Sequence, residues 1–399
     1  MDSYQQIGDN LYWVGARHPE LKIFDELFPT HNGTTYNSYL VRGTEKTALL
    51  DTVKAPFTAE FLDRLDQLCG LDAIDLVVVN HTEPDHSGAL AALLERRPDL
   101  PVYCSKPAEN FLKQLLNKPF NAQVVTDNSE VDLGGKTLRF ILAPSLHWPD
   151  TIFTYLVEDG VLFPCDAFGA HYCSQKLFND EIPDFTADFL FYFDCIMRPF
   201  KEKVRQAVDK LDGLTLNMIC PSHGPLHRHE PRAVIDAYRR LSAPPPENQQ
   251  PRALLLTLSS HGNTRQMAAA VSEGLAGKGF EVQEMRMCEL RDGDLRDELE
   301  LADLVLVGTP TINRDAPPQV WHALSLFSLV TPKASVAGVF GSFGWSGEAV
   351  KMVEERLKGL RFKLPVESLC FRFQPTGDDF DRCREFGRAM AAAVLGEET

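Results

Sequence analysis

The sequence contains no Cys-x-x-Cys pair among its nine cysteines. Structural zinc knuckles and rubredoxin-type iron sites use such pairs, so the sequence disfavours both kinds of site. An odd number of cysteines without regular spacing also disfavours a disulfide scaffold. We therefore expect mostly buried, reduced thiols. Cys165 is expected to line a site, because the candidate ligand Asp166 follows it directly.

Two further features are absent: a long apolar run and an excess of basic residues. No stretch approaches the roughly 20 apolar residues that a membrane helix needs, and residues 1–10 lack the apolar core of a secretory signal. The formal net charge is −16, from 40 basic and 56 acidic residues, and this charge would repel a phosphate backbone. The sequence thus predicts a cytoplasmic protein with no membrane segment and no nucleic-acid partner.

Two common nucleotide motifs are also missing. The chain has no Gly-x-Gly-x-x-Gly and no complete P-loop, which disfavours a dinucleotide site and a P-loop site. A loop rich in hydroxyl groups follows the apolar run at 253–258 instead, and it opens a predicted helix at 265–278. Such a loop can bind one phosphate dianion through hydroxyls and backbone N–H groups. Its residues are Ser259, Ser260, His261, Gly262, Asn263 and Thr264.

Residues 242–251 form a predicted linker, because they are rich in proline and polar residues and show no periodicity. We predict one domain at 1–241 and another at 252–399. In the second domain, predicted strands alternate strictly with helices, which indicates a doubly wound parallel sheet. Ligands bind such sheets at the carboxyl ends of the strands.

Two more loops follow strands of this predicted sheet, and we expect them to contribute to the same ligand site. Trp345 in the third loop offers a flat face for stacking, and Arg314 is expected near the edge of the ligand. The residues of the second loop are Pro310, Thr311, Ile312 and Asn313. Those of the third are Ser342, Phe343, Gly344, Trp345, Ser346 and Gly347.

The first domain mixes strands and helices, as in a layered α/β fold. Directly after its apolar run at 76–78 come four side chains that can ligate metals: His81, Glu83, Asp85 and His86. Because Pro84 disfavours a strand or a helix interior, we predict a loop here. Four ligand-capable residues within six positions indicate a metal site.

Three more candidate ligands each follow a predicted strand: His147, Asp166 and His223. Strand ends of one domain can converge, so we expect these side chains to join the first group. Three imidazoles and three carboxylates, with His86 as an optional seventh ligand, suffice for two metals and one bridging carboxylate. Mixed imidazole and carboxylate ligands favour iron or manganese, and zinc remains an alternative.

These residues resemble the flavodiiron proteins, or A-type flavoproteins, which are a branch of the metallo-β-lactamase fold. Hydrolases of that fold carry His-x-His-x-Asp-His and usually zinc, whereas Glu83 here replaces the second histidine. The segments at 146–151, 166–169 and 221–224 are similar as well, and the likeness covers nearly the whole chain. It implies an αββα sandwich at 1–241 and a flavodoxin-like sheet at 252–399.

The resemblance also implies roles for the candidate residues. His81, Glu83 and His147 would hold one iron, Asp85 and His223 the other, and Asp166 would bridge the two; His86 either ligates or stands off. Tyr192 and His171 would be pocket residues close to the chemistry, or ordinary packing residues. The stretch at 262–264 resembles the FMN-phosphate loop of flavodoxins, and the second and third loops would flank the flavin ring.

The implied activity is reduction of O2 to water, of NO to N2O, or of both, with electrons passed through FMN to two irons. An external donor, such as rubredoxin or a flavin/rubredoxin reductase, would supply the electrons. The resemblance further implies a head-to-tail homodimer, or a dimer of dimers. Two alternatives remain: a zinc hydrolase with a flavodoxin-like module, which Glu83 disfavours, and an electron-transfer or redox-sensing module whose metal site is structural.

Overall fold

The computed structural model of the chain describes residues 4–397. Between Ala243 and Pro244 the chain divides into two compact units. None of the helices in the described range has the length and apolarity that a membrane-spanning segment needs. Each unit has its own sheets and its own hydrophobic core.

The N-terminal unit contains two large sheets. Its strands are β1 (Gln5–Gly8), β2 (Leu11–Trp13), β3 (Ala16–His18), β4 (Ile23–Phe24), β5 (Phe28–Pro29), β6 (Thr34–Tyr36), β7 (Tyr39–Arg42), β8 (Thr47–Leu50), β9 (Leu76–Val78), β10 (Pro101–Cys104), β11 (Asn121–Val124), β12 (Glu130–Asp132), β13 (Thr137–Leu142), β14 (Ile152–Leu156), β15 (Val161–Phe163) and β16 (Met218–Ile219). The first sheet has the order β1-β2-β7-β8-β9-β10-β11 and the second the order β12-β13-β14-β15-β16. The pairs β3–β6 and β4–β5 form small separate ribbons.

Helices cover the outer face of each large sheet. They are α1 (Thr58–Cys69), α3 (Leu90–Arg96), α4 (Lys106–Leu116), α5 (Thr186–Tyr192), α6 (Lys201–Asp209) and α7 (Pro231–Leu241). The short helix α2 (Pro84–Ser87) lies in the connection after β9 instead. One buried apolar cluster lies between the facing sides of the two sheets, and it includes Val78 of the first sheet and Phe140 of the second. A second packs α1, α3 and α4 on the first sheet, and a third packs α5, α6 and α7 on the second. These layers form an αββα sandwich, so the predicted fold is confirmed.

The C-terminal unit is a single five-stranded parallel sheet with helices on both faces, and its second strand in chain order lies at one edge, followed by the first, third, fourth and fifth. Its elements are β17 (Arg252–Thr257), α8 (Asn263–Ala276), β18 (Glu281–Arg286), α9 (Asp292–Leu301), β19 (Leu304–Pro310), α10 (Pro318–Leu326), β20 (Ala337–Phe343), α11 (Glu348–Gly359), β21 (Leu369–Arg372) and α12 (Gly377–Leu395). The central strands are buried on both sides, which explains their nearly continuous apolar sequences. The predicted flavodoxin-like sheet is therefore confirmed.

The boundaries of two elements differ from the sequence-based expectation. Pro84 does not hold the chain in a loop but occupies the first position of the short helix α2, where proline needs no hydrogen-bond partner for its nitrogen. Helix α8 begins at Asn263 instead of residue 265, so Asn263 and Thr264 belong to its first turn. The sequence did not predict α5–α7, α10–α12 or β21.

The last helix, α12, packs along α8 on one face of the parallel sheet. Thr376 and Asp379 cap it reciprocally. The threonine hydroxyl accepts from Asp379 N at 3.4 Å, and the Asp379 carboxylate accepts from Thr376 N at 2.9 Å. This arrangement satisfies two backbone donors at the helix start.

Thr376→Ala should destabilise the start of α12 by about 1 kcal/mol, because the N-cap acceptor is lost. Hydrogen exchange measured by mass spectrometry should show faster exchange in peptides from 377–395, with peptides from 4–241 unchanged. Thr376→Ser keeps the hydroxyl and serves as the matched control. Equal exchange in the alanine and serine variants would show that the cap contributes nothing.

Candidate functional site

The loop after β9 carries four predicted ligands on one tight turn. Asp85 and His86 lie within α2 and are buried. Ser87 Oγ donates to Thr82 O at 2.7 Å and closes the turn. The carboxylate of Asp51, at the end of β8, accepts from Asn80 N at 2.7 Å and from Asn80 Nδ2 at 2.8 Å. The turn is thereby fixed to the edge of the first sheet.

The first cluster of ligand atoms joins His81, Glu83 and His147. Glu83 Oε2 lies 3.2 Å from His81 Nε2 and 2.9 Å from His147 Nε2. His147 comes from the segment after β13, in the second sheet. Two imidazoles and one carboxylate, from loops of both sheets, thus face one point.

The second cluster joins Asp85, His86 and His223. His86 Nε2 lies 3.3 Å from Asp85 Oδ1, and His223 Nε2 lies 3.1 Å from Asp85 Oδ2. His223 follows β16 by a few residues. The structure therefore brings the optional ligand, His86, into the same cluster as Asp85 and His223.

Asp166 lies between the two clusters and faces both. Its Oδ2 is 3.6 Å from His81 Nε2 and 3.6 Å from His147 Nε2. Its Oδ1 is 3.0 Å from His86 Nε2 and 3.5 Å from His223 Nε2. One oxygen is thus directed at each cluster, which is the arrangement that a bridging carboxylate requires.

Several atoms of this group have no hydrogen-bond partner within residues 4–397. They are both carboxylate oxygens of Asp85, both ring nitrogens of His86 and Oδ2 of Asp166, and all of them are inaccessible to solvent. Buried polar atoms without partners are costly and rare in folded proteins. Cations between these atoms would satisfy them, so the residues present fit a pair of metal ions.

The electrostatics of the group also favour positive charge. Burial alone would raise the pKa of Asp166, but His86, His81 and His147 hold that pKa well below its usual range. Burial lowers the pKa of His86, yet Asp85 and Asp166 outweigh burial and raise it to about 10. Cationic charge at the centre is therefore stabilised by the carboxylates around it.

Outer partners orient two of the imidazoles. His81 Nδ1 lies 3.2 Å from both carboxylate oxygens of Asp150, which also accepts from Thr82 N at 2.7 Å. His223 Nδ1 lies 2.6 Å from Thr35 O. Both partners are pure acceptors, so each Nδ1 donates and each Nε2 lone pair is left for a metal. Asp150 was not among the predicted site residues, although it lies in the same short segment as His147.

Tyr192 and His171 lie beside the second cluster. The Tyr192 hydroxyl donates to Asp166 Oδ1 at 3.2 Å. His171 Nδ1 is 3.0 Å from Thr34 Oγ1, and the His171 ring centroid is 4.9 Å from that of Tyr192. Burial, together with His223, holds the pKa of His171 well below its ordinary value, so the ring is neutral.

A cavity of about 250 Å³ opens onto the clusters. Apolar side chains from the β4–β5 hairpin and from the segment after α5 form most of its wall. The lining residues are Phe24, Asp25, Leu27, Phe28, Glu83, Asp85, His147, Asp166, Tyr192, Cys195, Ile196, Pro199, Phe200 and His223. Such a space fits a small, weakly polar molecule. Sequence reasoning missed the apolar wall, because neither segment shows a periodic pattern.

A second cavity, of about 400 Å³, lies at the carboxyl ends of the strands in the C-terminal unit. All three predicted loops contribute to it. Its lining residues are Ser259, Ser260, His261, Asn263, Pro310, Thr311, Ile312, Ser342, Phe343, Gly344, Trp345 and Phe373. Its size and its three exposed or half-buried aromatic side chains suit a flat ring system attached to a phosphate.

Comparison with known proteins decides the family. Residues 34–224 match the family model described as ODP family beta lactamase, and residues 255–387 match the flavodoxin model. The type A flavoprotein fprA of Rhodobacter capsulatus is 41% identical over 399 residues, covering 98% of this chain and 91% of that protein. The chain belongs to the flavodiiron (type A flavoprotein) family. The predicted family is thereby confirmed, and with it FMN and iron as the cofactors.

Two further similar proteins span nearly the whole chain. The nitric oxide reductase of Moorella thermoacetica is 38% identical over 97% of this flavodiiron chain and 98% of its own length. The structure of rubredoxin oxygen:oxidoreductase from Desulfovibrio gigas superposes with a TM-score of 0.71 at 29% identity and covers 99% of both chains. The chain is thus an oxidoreductase of this family, as predicted.

Five predicted flavin residues of this flavodiiron protein do not line the second cavity: Gly262, Thr264, Asn313, Ser346 and Gly347. Thr264 is buried, and its hydroxyl lies 2.9 Å from Ser342 Oγ, so it connects the first loop to the third. Gly262 has φ +90°, which favours glycine and shapes the turn into α8.

Phe373 is the cavity residue that the sequence did not predict. It follows β21, a strand of four residues that was itself missed. The Cζ atom of Arg314 lies 5.2 Å from the centre of the Trp345 ring, so its guanidinium group packs against an aromatic residue of the cavity wall.

Asp166→Ala should lower the affinity of both metal positions by at least about tenfold, because one carboxylate serves both clusters. Asp85→Ala should empty one position only. Elemental analysis of the purified variants, with Tyr192→Phe as a control that keeps every predicted ligand, provides the measurement. Loss of a single metal in Asp166→Ala would contradict the bridging role.

Proposed function

We propose that this protein reduces O2 to water, NO to N2O, or both, at a diiron centre that receives electrons through FMN. The observation that carries the proposal is the position of Asp166 between two clusters of ligands, beside a small apolar cavity. One relative is named a nitric oxide reductase and one similar structure a rubredoxin oxygen:oxidoreductase. The zinc-hydrolase alternative is not favoured, because Glu83 supplies a hard oxygen ligand where hydrolases of this fold carry a histidine.

In this proposal, His81, Glu83 and His147 would hold one iron, and Asp85, His86 and His223 would hold the other. Asp166, which directs one oxygen at each cluster, would serve both irons. The inclusion of His86 is supported by the position of its Nε2, which lies 3.0 Å from Asp166 Oδ1 and 3.3 Å from Asp85 Oδ1. Its Nδ1 is buried and has no hydrogen-bond partner within residues 4–397. Two irons supply redox equivalents and a binding place for a diatomic gas.

The residues around the irons have separate tasks. The apolar cavity wall, with Phe24 and Ile196, excludes water while admitting a small gas. Tyr192 orients Asp166 through a hydrogen bond from its hydroxyl group. This hydroxyl stays protonated, because burial and Asp166 raise the pKa of Tyr192 well above its usual value. His171, neutral and packed against Tyr192, supports that ring.

FMN is proposed to bind in the second cavity. Ser259, Ser260 and Asn263, at the start of α8, would hold its phosphate. Trp345 and Phe373 would contact the ring, because they are 68% and 60% exposed and line the cavity. Such large exposed aromatics are unusual unless a ligand or partner covers them.

We further propose a homodimer, or a dimer of dimers, in which the FMN of one chain serves the irons of its partner. Exposed apolar side chains occur at the mouths of both cavities, as with Leu27 (67% exposed) and Trp345.

The predicted domains, 1–241 and 252–399 joined by the linker at 242–251, would act as iron and flavin modules. An external donor such as rubredoxin or a flavin/rubredoxin reductase would reduce FMN. An odd number of cysteines without a Cys-x-x-Cys pair favours the reducing cytoplasm.

The direct test is anaerobic reduction of the purified protein, followed by exposure to NO and to O2 in separate electrode experiments. We expect consumption of at least one gas, and the relative rates define the preference. A fully metallated, reduced protein that consumes neither gas would refute the proposal.

Ser260→Ala should weaken FMN binding by about 1.5–3 kcal/mol, because a hydrogen bond to a charged phosphate is lost. Riboflavin lacks the phosphate, so its affinity should not change. Fluorescence titration with both flavins measures the two affinities, and Ser325→Ala, outside the cavity, is the control. Equal losses for FMN and riboflavin would place the phosphate elsewhere.

The dimer proposal predicts complementation between inactive chains. One variant lacks the metals (His81→Ala with Asp166→Ala), and the other lacks FMN because its loop at 262–264 is disrupted. Each homodimer should be inactive. Verified heterodimers should regain one working pair of cofactors and about half of the wild-type turnover per dimer. Inactive heterodimers would show that electrons do not cross between chains.

A further inference from the structure

A thiol lies directly against the second metal cluster. Cys165 precedes Asp166 in the chain and is 1% exposed. Its Sγ, a ring nitrogen of His86 and a carboxylate oxygen of Asp166 all lie within 4.8 Å of one another. Within residues 4–397, Cys165 is the one cysteine that belongs to such a group of ligand-capable atoms.

The backbone at Cys165 is held in an unusual conformation. Its φ is +52°, in the left-handed region that favours glycine. A side chain is nevertheless present, and Ser222 Oγ donates to its sulfur at 3.2 Å. Ser222 precedes the ligand His223, so this hydrogen bond joins the segment that carries Asp166 to the segment that carries His223.

The two ligand-capable neighbours of the thiol, His86 and Asp166, have buried polar atoms that lack hydrogen-bond partners within residues 4–397. Both ring nitrogens of His86 and Oδ2 of Asp166 are buried and have no hydrogen-bond partner in the described chain. Around a tetrahedral zinc ion, neighbouring ligand atoms are about 3.5 Å apart, given bond lengths of roughly 2.0–2.3 Å. The three atoms, which lie within 4.8 Å of one another, therefore need to approach by at most about 1.3 Å to hold one ion.

We propose that Cys165, together with His86 and Asp166, gives the second metal position an alternative ligand set that holds a thiophilic divalent ion such as zinc. Binding forms a metal–sulfur bond and releases the thiol proton to solvent, and nothing is oxidised or reduced. Iron would bind the ligand set that includes Asp85 and His223, which is richer in oxygen. A softer ion would bind the set that includes the sulfur of Cys165. The same position thus has one ligand set for the working metal and another for a competing metal.

The inference rests on the metal assignment proposed above, and the test separates the two. Metal-free, full-length protein that retains FMN is loaded with zinc, and X-ray absorption at the zinc edge is recorded. Flavin does not interfere with this measurement. We expect imidazole scattering and, in addition, a sulfur neighbour at about 2.3 Å. Cys165→Ser should remove the sulfur contribution and keep the imidazole contribution. Cys220→Ala, which changes a buried cysteine outside every candidate cluster, should keep both.

A second measurement addresses selectivity. In competition with a chromophoric chelator, Cys165→Ser should bind zinc at least about tenfold more weakly at one position, as for the loss of a metal-site partner. Its capacity for two irons should remain. Equal loss of zinc and iron would instead show that Cys165 merely supports the fold around the centre.

The outcomes are distinct. Imidazole scattering without sulfur in the wild-type protein would overturn the role of Cys165 and leave the diiron proposal intact. Absence of imidazole scattering would refute the metal centre itself. If Cys165→Ser fails to fold, Cys195→Ala provides the decision, because Cys195 is the other cysteine near the clusters and lines their cavity. Sulfur scattering that persists in both Cys195→Ala and Cys220→Ala assigns the ligand to Cys165, whereas its loss in Cys195→Ala would overturn the proposal.

Discussion

The structure depends on one electrostatic constraint: carboxylates are buried side by side and need cations between them. Asp85 and Asp166 are each 2% exposed, and three of their four oxygens have no hydrogen-bond partner within residues 4–397. Buried charges of like sign are costly unless opposite charge compensates them. Bound metal ions are therefore part of the folded state, and the residues around them serve to hold that charge in place.

The fold meets this constraint by joining strand ends of the two sheets through hydrogen bonds that do not involve the metal ligands' own side chains. Asn80, at the end of β9, accepts from Thr154 in β14 at 2.7 Å and from Ile152 N at 2.9 Å. Asn37 donates to Pro221 O at 2.8 Å and to Gly224 O at 3.0 Å, on either side of His223. Ligands from different sheets are thus placed within bonding distance of common points, which reduces the reorganisation that metal binding requires.

The ligands could be predicted from the sequence because each one follows an apolar strand. This pattern is visible in the amino-acid sequence without any knowledge of the tertiary fold. It did not identify Asp150, since this residue faces His81 from behind and contributes through orientation alone. It assigned Thr264 to the phosphate loop, and in the structure this residue lies in the first turn of α8 with its hydroxyl 2.9 Å from Ser342 Oγ. The cavity wall was missed because the β4–β5 hairpin and the π-helical turn Phe193–Met197 carry no period that a pattern can detect.

The central claim is that one chain binds two irons that share a carboxylate. Mössbauer spectroscopy of metal-free protein reloaded anaerobically with 57Fe, combined with a protein and iron count, tests it most directly. We expect two irons per chain in equal amounts and in two different environments, and after oxidation the spins of the two irons should be coupled. A single iron per chain, or two uncoupled irons, would contradict it.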